Sequence, residues 1–344
     1  MDWLSHFLSM TPVSGRLEVR CLYGAPWRVT YEDSAAGEMP YHIVVAGEAT
    51  LASSSGRVIE TLTAGDIVVL AHGDAHVMHD GSGAAPAPVH ERENLNLVVS
   101  ENSSADRQLD MLCGRFVVRT PHDRLIRAYL PPTLVARASA AGRSAGSPDT
   151  AARLAKLVEL MRAEAAVDSL GGLAMLNAFS SALFTLTLRL ASEAEEAPVG
   201  LLALAGHPRL APALTAMLRE PAHAWTLPEL ADLCHMSRAT LARHFQERVG
   251  RSASDLLTDI RMNLALAELA KPGMSTEAVA DTVGYQSLSA FKKVFKQRTK
   301  MTPAEWRRQQ VPGAVRDGAR RTAVRRLPSS PRDGTPPRAP PSPA

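Results

Sequence analysis

Two groups of side chains, about fifty residues apart, carry the most readable chemistry in this sequence. Arg238, Ala239, Ala242 and Arg243 fall on one face of the segment 238–249. Leu288, Ser289, Lys292, Lys293 and Lys296 fall on one face of the segment after Ser287. Guanidinium and ammonium groups at this spacing can bond phosphate oxygens and the acceptor edge of guanine, and small apolar side chains can pack against thymine methyls. That chemistry needs a short helix held end-on in a major groove by a rigid support.

The support is written into the sequence twice. ELADLCHMSRATLARHF (229–245) and AVADTVGYQSLSAFKKVF (278–295) share one design: an amphipathic segment with a buried-type Ala (Ala231, Ala280), a tight break, and a second segment ending apolar-x-basic-x-Phe. In the first unit Thr226-Leu-Pro-Glu229 reads as a capping box. Leu227, Leu230, Leu233 and Cys234 are expected to face inward, and Ser237 to cap the following helix. In the second, Gly284 suits a positive φ and Ser287 caps the next helix. The Ala-to-Phe spacing is one residue longer in the second unit, so the turns are expected to differ. Between the units, 252–270 reads as one helix capped by Ser252, roughly 28 Å long at 1.5 Å per residue. Thr302-Pro-Ala-Glu305 predicts a further capped helix carrying Trp306.

Charge agrees with this placement. Net charge is +3 overall, but residues 1–204 carry 16 Lys and Arg against 23 Asp and Glu. Residues 205–310 carry 15 against 10, and residues 311–344 carry 7 against 2. Positive charge therefore collects where phosphates would bind. Eight Pro and seven Arg without apolar periodicity predict a disordered basic tail over 311–344.

The block 208–309, with its ending VGYQSLSAFKKVFKQRTKMTPAEWRR, resembles the DNA-binding domain of the AraC/XylS family of bacterial transcription regulators. The resemblance implies that both second helices read DNA, with Ala239, Ala242 and Arg243 and then Ser289, Lys292 and Lys293 in the base-facing slots. Lys300 stands where that family usually has Gly, which puts the turn before Met301 in question.

The N-terminal half is of another kind. Runs such as RLEVRCLY, YHIVVAGEATLA, RVIETL and DIVVLA, punctuated by glycines, predict an all-β sandwich or barrel up to about Val118. Residues 150–166 and 172–191 then show helical periodicity, separated by Gly171-Gly172. They are read either as two helices packed on the β domain or as a dimer interface. The stretch Leu173–Leu190 is too polar to be expected as a membrane span. MDWLSHFLSM lacks the basic start and apolar run of a secretory signal. Cys21, Cys113 and Cys234, an odd number without C-x-x-C, suit reduced structural thiols in the cytoplasm, with a redox or mercury-type sensor as the alternative.

GDIVVLAHGDAHVMHD (65–80) resembles the second motif of the cupin β-barrels, with Gly65, Gly73 and His76 in place. His42 and Glu48 match the first motif, but Val44 occupies the position of its second histidine. The resemblance implies a site at His42, Glu48 and His76 for an effector or a residual metal. It also identifies the domain with the cupin-type sensors attached to many AraC-type regulators.

The expected fold is α+β and multidomain: a cupin-like β-barrel sensor domain (1–135), a helical linker and dimerisation region (136–200), and an all-α double helix-turn-helix domain (205–310). The expected function is sequence-specific transcription regulation, by activation or repression, with promoter DNA, RNA polymerase, a small-molecule effector and a second copy as partners. No cofactor, membrane partner or catalytic residue is expected. A ligand-independent dimeric regulator and a metal-dependent cupin enzyme with an accessory DNA-binding domain are the competing readings.

Overall fold

Period-two apolar patterning builds the N-terminal half into two facing sheets. The computed structural model describes residues 1–104, 108–120, 122–137 and 147–310. It opens with helix α1 (Trp3–Met10) and runs through β1 (Val13–Tyr23), β2 (Arg28–Tyr31), β3 (Glu38–Ala46), β4 (Glu48–Ser53), β5 (Val58–Thr63), β6 (Asp66–Leu70), β7 (His76–His79), β8 (Val89–Glu93), β9 (Val98–Asn102) and β10 (Leu109–Val118). Helix α2 (Asp123–Tyr129) and strand β11 (Thr133–Arg137) follow. One sheet has the order β11-β6-β3-β10-β1-β9-β8 and the other β2-β7-β4-β5.

Alternate residues of the large sheet serve two different cores. Ile43, Ile67, Val69, Leu112 and Phe116 join the core beneath the helices. Their neighbours Val44, Val68, Leu70, Met111 and Cys113 join Leu51, Leu62 and Met78 in a second core between the sheets. Each fully buried Ile, Leu or Phe contributes about 1.5–3 kcal/mol, and a one-residue slip would exchange the two sets.

The expected helical pair forms as α3 (Pro148–Glu164) and α4 (Gly172–Ser192). Helix α4 lies along β1 because Gly15 has no side chain: a Cβ there would strike the backbone of Ser180. The contact is pinned by Gly15 N–H donating to Ser181 Oγ at 2.9 Å and by Tyr41 Oη and Ser180 Oγ at 2.7 Å. By length and composition α4 is apolar enough to cross a membrane; in this fold its apolar side covers the sheet.

The remaining chain is helical: α5 (Leu201–Ala205), α6 (Ala211–Arg219), α7 (Leu227–Leu233), α8 (Arg238–Val249), α9 (Ala253–Leu269), α10 (Thr276–Thr282), α11 (Leu288–Thr299) and α12 (Pro303–Gln310). It carries two helix-turn-helix units, α7–α8 and α10–α11, as the patterning requires. The capping residues act as expected: Thr226 and Glu229 form a complete box, and Ser237, Ser252, Ser275 and Ser287 each accept a bond from the amide three residues on. One expectation fails. Leu230 and Cys234 are buried, but Leu227 and Leu233 are 37% and 39% exposed, because α7 has only two turns and just one of its faces meets α8 and α6. The N-terminal helix α1 crosses to this half and packs on α6, burying Leu4 and Phe7 in the large core. The tail 311–344, expected to be disordered, lies outside the described residues.

Candidate functional site

The two second helices, α8 and α11, present their charged faces to solvent. Arg238, Ala239, Ala242 and Arg243 are all exposed on α8, while Leu241 and Phe245 are buried beneath them. On α11, Ser289, Lys292, Lys293 and Lys296 are exposed, Leu288 is half-buried, and Phe291 and Phe295 are buried. Arg243 lies 3.7 Å from Glu247 one turn on, a pair loose and exposed enough to exchange for another acceptor.

The units use one turn with a local variation. His235 (φ +50°) and Gly284 (φ +83°) each stand four residues after the buried Ala in a left-handed conformation. The next amide returns to that Ala: Met236 N–H to Ala231 C=O at 3.0 Å, and Tyr285 N–H to Ala280 C=O at 2.9 Å. The extra residue of the second unit, Gln286, enters after this shared turn and before the Ser287 cap. The first unit thus holds a histidine in a conformation that glycine adopts freely. Lys300 does the same at φ +65°, so the turn before Met301 is kept despite the missing glycine.

What joins the units is α9. Its 17 residues make a rod of about 25 Å. Arg261, midway along it, donates to the carbonyls of Pro221 (2.6 Å) and His223 (2.8 Å) in the lead-in to the first unit, and its guanidinium lies 5.7 Å from the ring centre of Tyr285 in the second. Gly284 packs on Ala222, where a Cβ would clash with the carbonyl. At the far end Arg298 of α11 bonds Asp255 (2.6 Å) and Asp259 (3.3 Å) of the rod. Both exposed faces are therefore fixed to one support.

The rod is also where the N-terminal half docks. Tyr129 of α2 donates to Asp259 at 2.6 Å, and Arg251 stacks over the Tyr129 ring and reaches the same carboxylate at 3.3 Å. Arg124 donates to the Arg298 carbonyl at 2.8 Å. Asn263 donates to the Met10 carbonyl and faces His122 Nδ1, at 2.8 and 2.9 Å. Nothing in the sequence patterning singled out Tyr129, Arg124 or Asn263. A buried-type Tyr and an Asn inside an apolar helix stripe were the available signals.

Inside the barrel, His42 of β3 and His76 of β7 meet as the cupin resemblance implies, with Nε2 to Nε2 at 2.8 Å. Glu48 does not join them. It is exposed at the start of β4, whose register sets Thr50 and Ser53, not Glu48, beside β7. The expected three-residue site is corrected to a histidine pair. Among the described residues, no group of three or more His, Cys, Asp or Glu converges to hold a metal ion. The donor set does not fit a cupin metal centre, because Val44 replaces one imidazole and Glu48 points elsewhere.

The pair makes hydrogen bonds instead, and their direction is fixed from one end. His76 Nδ1 faces the Asp74 carbonyl at 2.9 Å, so it carries the proton. Burial holds both imidazoles below their ordinary pKa, for His42 with help from neighbouring His76, so both are neutral. His76 Nε2 must then accept from His42 Nε2–H. His42 Nδ1 is left as an acceptor and faces Cys113 Sγ at 3.2 Å. Cys113 Sγ also lies 3.9 Å from Cys21 Sγ and receives Tyr31 Oη at 3.7 Å. Burial, with the neighbouring Cys21, pushes the Cys113 thiol up. Cys21, Tyr31, His42 and Cys113 line a cavity of about 80 Å³ together with Glu18, Glu32 and Arg115, far below the 300–1,000 Å³ common for metabolite pockets.

A family model described as a cupin matches residues 2–193, and one described as a helix-turn-helix domain matches residues 230–309. The chain is 29% identical over 309 residues to an uncharacterized HTH-type transcriptional regulator of Haemophilus influenzae, covering 90% of this chain and 99% of that one. It is 26% identical to the RCS-specific HTH-type transcriptional activator RclR of Escherichia coli (89% and 97% covered) and 27% identical to the HTH-type transcriptional regulator MtrA of Neisseria gonorrhoeae (90% and 99%).

Proposed function

The chain belongs to the AraC/XylS family of helix-turn-helix transcription regulators with a cupin N-terminal domain, and from that premise we propose how it divides the work. Residues 205–310 read promoter DNA through Arg238, Ala239, Ala242 and Arg243 in one groove and Leu288, Ser289, Lys292, Lys293 and Lys296 in the next. Residues 1–135 receive the signal, and 136–200 join two copies. The protein works in the cytoplasm with RNA polymerase as its partner and catalyses no reaction.

The carrying observation is that two exposed basic faces are held on one braced rod. A rod of about 25 Å, with the width of a helix at each end, suits grooves one DNA turn, about 34 Å, apart. Arg and Lys there supply affinity through phosphates, and Arg243, with its forked donors, supplies base selection.

The second copy is supported by the α3–α4 hairpin, which exposes Leu160, Leu173 and Met175 on its helices and Val167 and Leu170 in the turn between them. Footprinting on operator DNA at several salt concentrations tests the DNA reading, with two protected grooves per monomer expected. Uniform, sequence-indifferent protection would refute it. Sedimentation of the full chain, alone and as Leu160→Glu, tests the pairing, which fails if wild type stays monomeric at micromolar concentration.

A further inference from the structure

Resting on that regulator reading, we propose that Arg261 is a specificity-determining positioning residue. It clamps the two helix-turn-helix units against each other, and so makes the protein select operators by the spacing of their two sub-sites.

The apolar cores leave this task open. Leu241, Phe245 and Ile260 belong to the core that serves the first unit, and Met262, Phe291 and Phe295 to a separate core that serves the second. The divide along α9 falls at residue 261. Apolar burial is non-directional, and two cores that share no buried side chain do not fix how one unit is rolled about the rod relative to the other.

Directional contacts supply that constraint, and they gather at Arg261. Its Nε donates to the Pro221 carbonyl at 2.6 Å, and its Nη2 to the carbonyls of Ala222 at 3.3 Å and His223 at 2.8 Å. These three residues lead into Thr226, the cap of α7. The same guanidinium lies 5.7 Å from the centre of the Tyr285 ring, in the turn before α11, and that ring meets Phe291 of α11 edge-on at 5.6 Å. Gly284 closes the joint from the same turn, since a Cβ there would run into Ala222. Lead-in, rod and second turn thus meet at one half-buried cation. Burial pulls its pKa down, but a guanidinium stays protonated, so carbonyl oxygens and a ring face stand in for the water it has lost.

Arginine suits this task in a way that lysine does not. Its planar fork sends donors along fixed directions and presents a flat face to an aromatic ring, so it sets an angle as well as a distance.

B-DNA makes the consequence measurable. With about 10–10.5 bp in a turn of about 34–36 Å, one extra base pair moves the second sub-site by about 3.4 Å and rotates it by about 34°. A clamped pair of reading faces cannot follow that rotation, whereas a pair free to roll follows part of it.

The full chain is titrated against the operator mapped by footprinting, and against versions with one base pair inserted or deleted between the two protected grooves. Wild type, Arg261→Met and Tyr285→Leu are compared. Wild type is expected to lose at least twentyfold in affinity at either altered spacing. Each variant is expected to cut that penalty to fivefold or less, with a Tm within a few degrees of wild type and the same affinity for non-specific DNA at low salt. The two substitutions break the clamp from opposite sides, so one answers if the other fails to fold. A merely structural role would weaken binding at every spacing by the same factor. That result, or a spacing penalty unchanged in both variants, overturns the proposal, as does a wild type that protects both grooves with equal affinity at all three spacings. A wild type that protects one groove, or binds without sequence preference, refutes the regulator reading instead.

Discussion

Tyr129 Oη lies 2.6 Å from Asp259 Oδ2, and this bond ties the last turn of the barrel's helix α2 to the middle of the rod that carries both reading helices. Asp259 also takes Arg251 and Arg298, one from each helix-turn-helix side. A carboxylate shared by the N-terminal half and by both reading units is a point at which displacement of one is registered by the others.

Tyr129→Phe therefore has a defined outcome. It removes a bond to a charged group, worth about 1.5–3 kcal/mol, yet leaves Asp259 paired with two arginines, so no buried charge is stranded. Faster hydrogen exchange in α2 and α9 is expected, with the barrel strands unchanged. Equal exchange in α2 would mean that the halves are held elsewhere.

The two reading faces should differ in what they contribute. Lys292→Ala and Lys293→Ala are expected to weaken specific and non-specific DNA alike, each lowering the slope of log K against log salt by about 0.9. Arg243→Ala should cost about 1–3 kcal/mol on the specific site and relax selection at one base position. Titrations at three salt concentrations separate these outcomes, and equal salt slopes in all three variants would contradict the assignment.

Lys300 closes α11 in a left-handed conformation that glycine adopts without steric cost. Left-handed backbone costs an L-residue about 1–2 kcal/mol, part of which glycine returns through its freer unfolded chain. Lys300→Gly is thus expected to stabilise by about 0.5–1 kcal/mol in urea titrations, and Lys300→Ala to give no gain. A destabilised Lys300→Gly would show that the lysine side chain, at the edge of the cleft with Arg124 and Arg298, holds the halves together.

These features were unequally legible in the sequence. The caps, turns and anchors of the helix-turn-helix units were readable, because capping boxes, a small crossing residue and a phenylalanine anchor are local signals at short range. Leu227 and Leu233 misled for the same reason: their spacing is amphipathic, but α7 is too short for more than one covered face. His42 and His76 could be paired by motif. Cys21 and Cys113 could not, since only the β1–β10 register brings them together. Glu48 was misplaced because a motif gives order along the chain and not which way a strand turns. The Tyr129–Asp259 contact depends on how two halves pack, which no periodicity encodes.

The neutral histidine pair makes stability depend on pH in a stated direction. His42 and His76 sit below their ordinary value of 6.5, His42 through burial and then through the adjacent His76, and His76 through burial against a weaker opposing pull from Asp74. Above about pH 6.5 both are neutral folded and unfolded, and they add no pH dependence. Below it the unfolded chain binds protons that the folded chain refuses, so stability falls as pH drops, until the depressed folded values are reached. The slope is at most about 1.4 kcal/mol per pH unit for each histidine. Urea unfolding at pH 7.5, 6.5 and 5.5 should show the loss confined to the acid side, and His76→Gln should remove part of the slope, since glutamine does not titrate. A slope unchanged in His76→Gln would mean that His76 is protonated within the fold, and the hydrogen-bond direction assigned to His42 and Cys113 would have to be reversed.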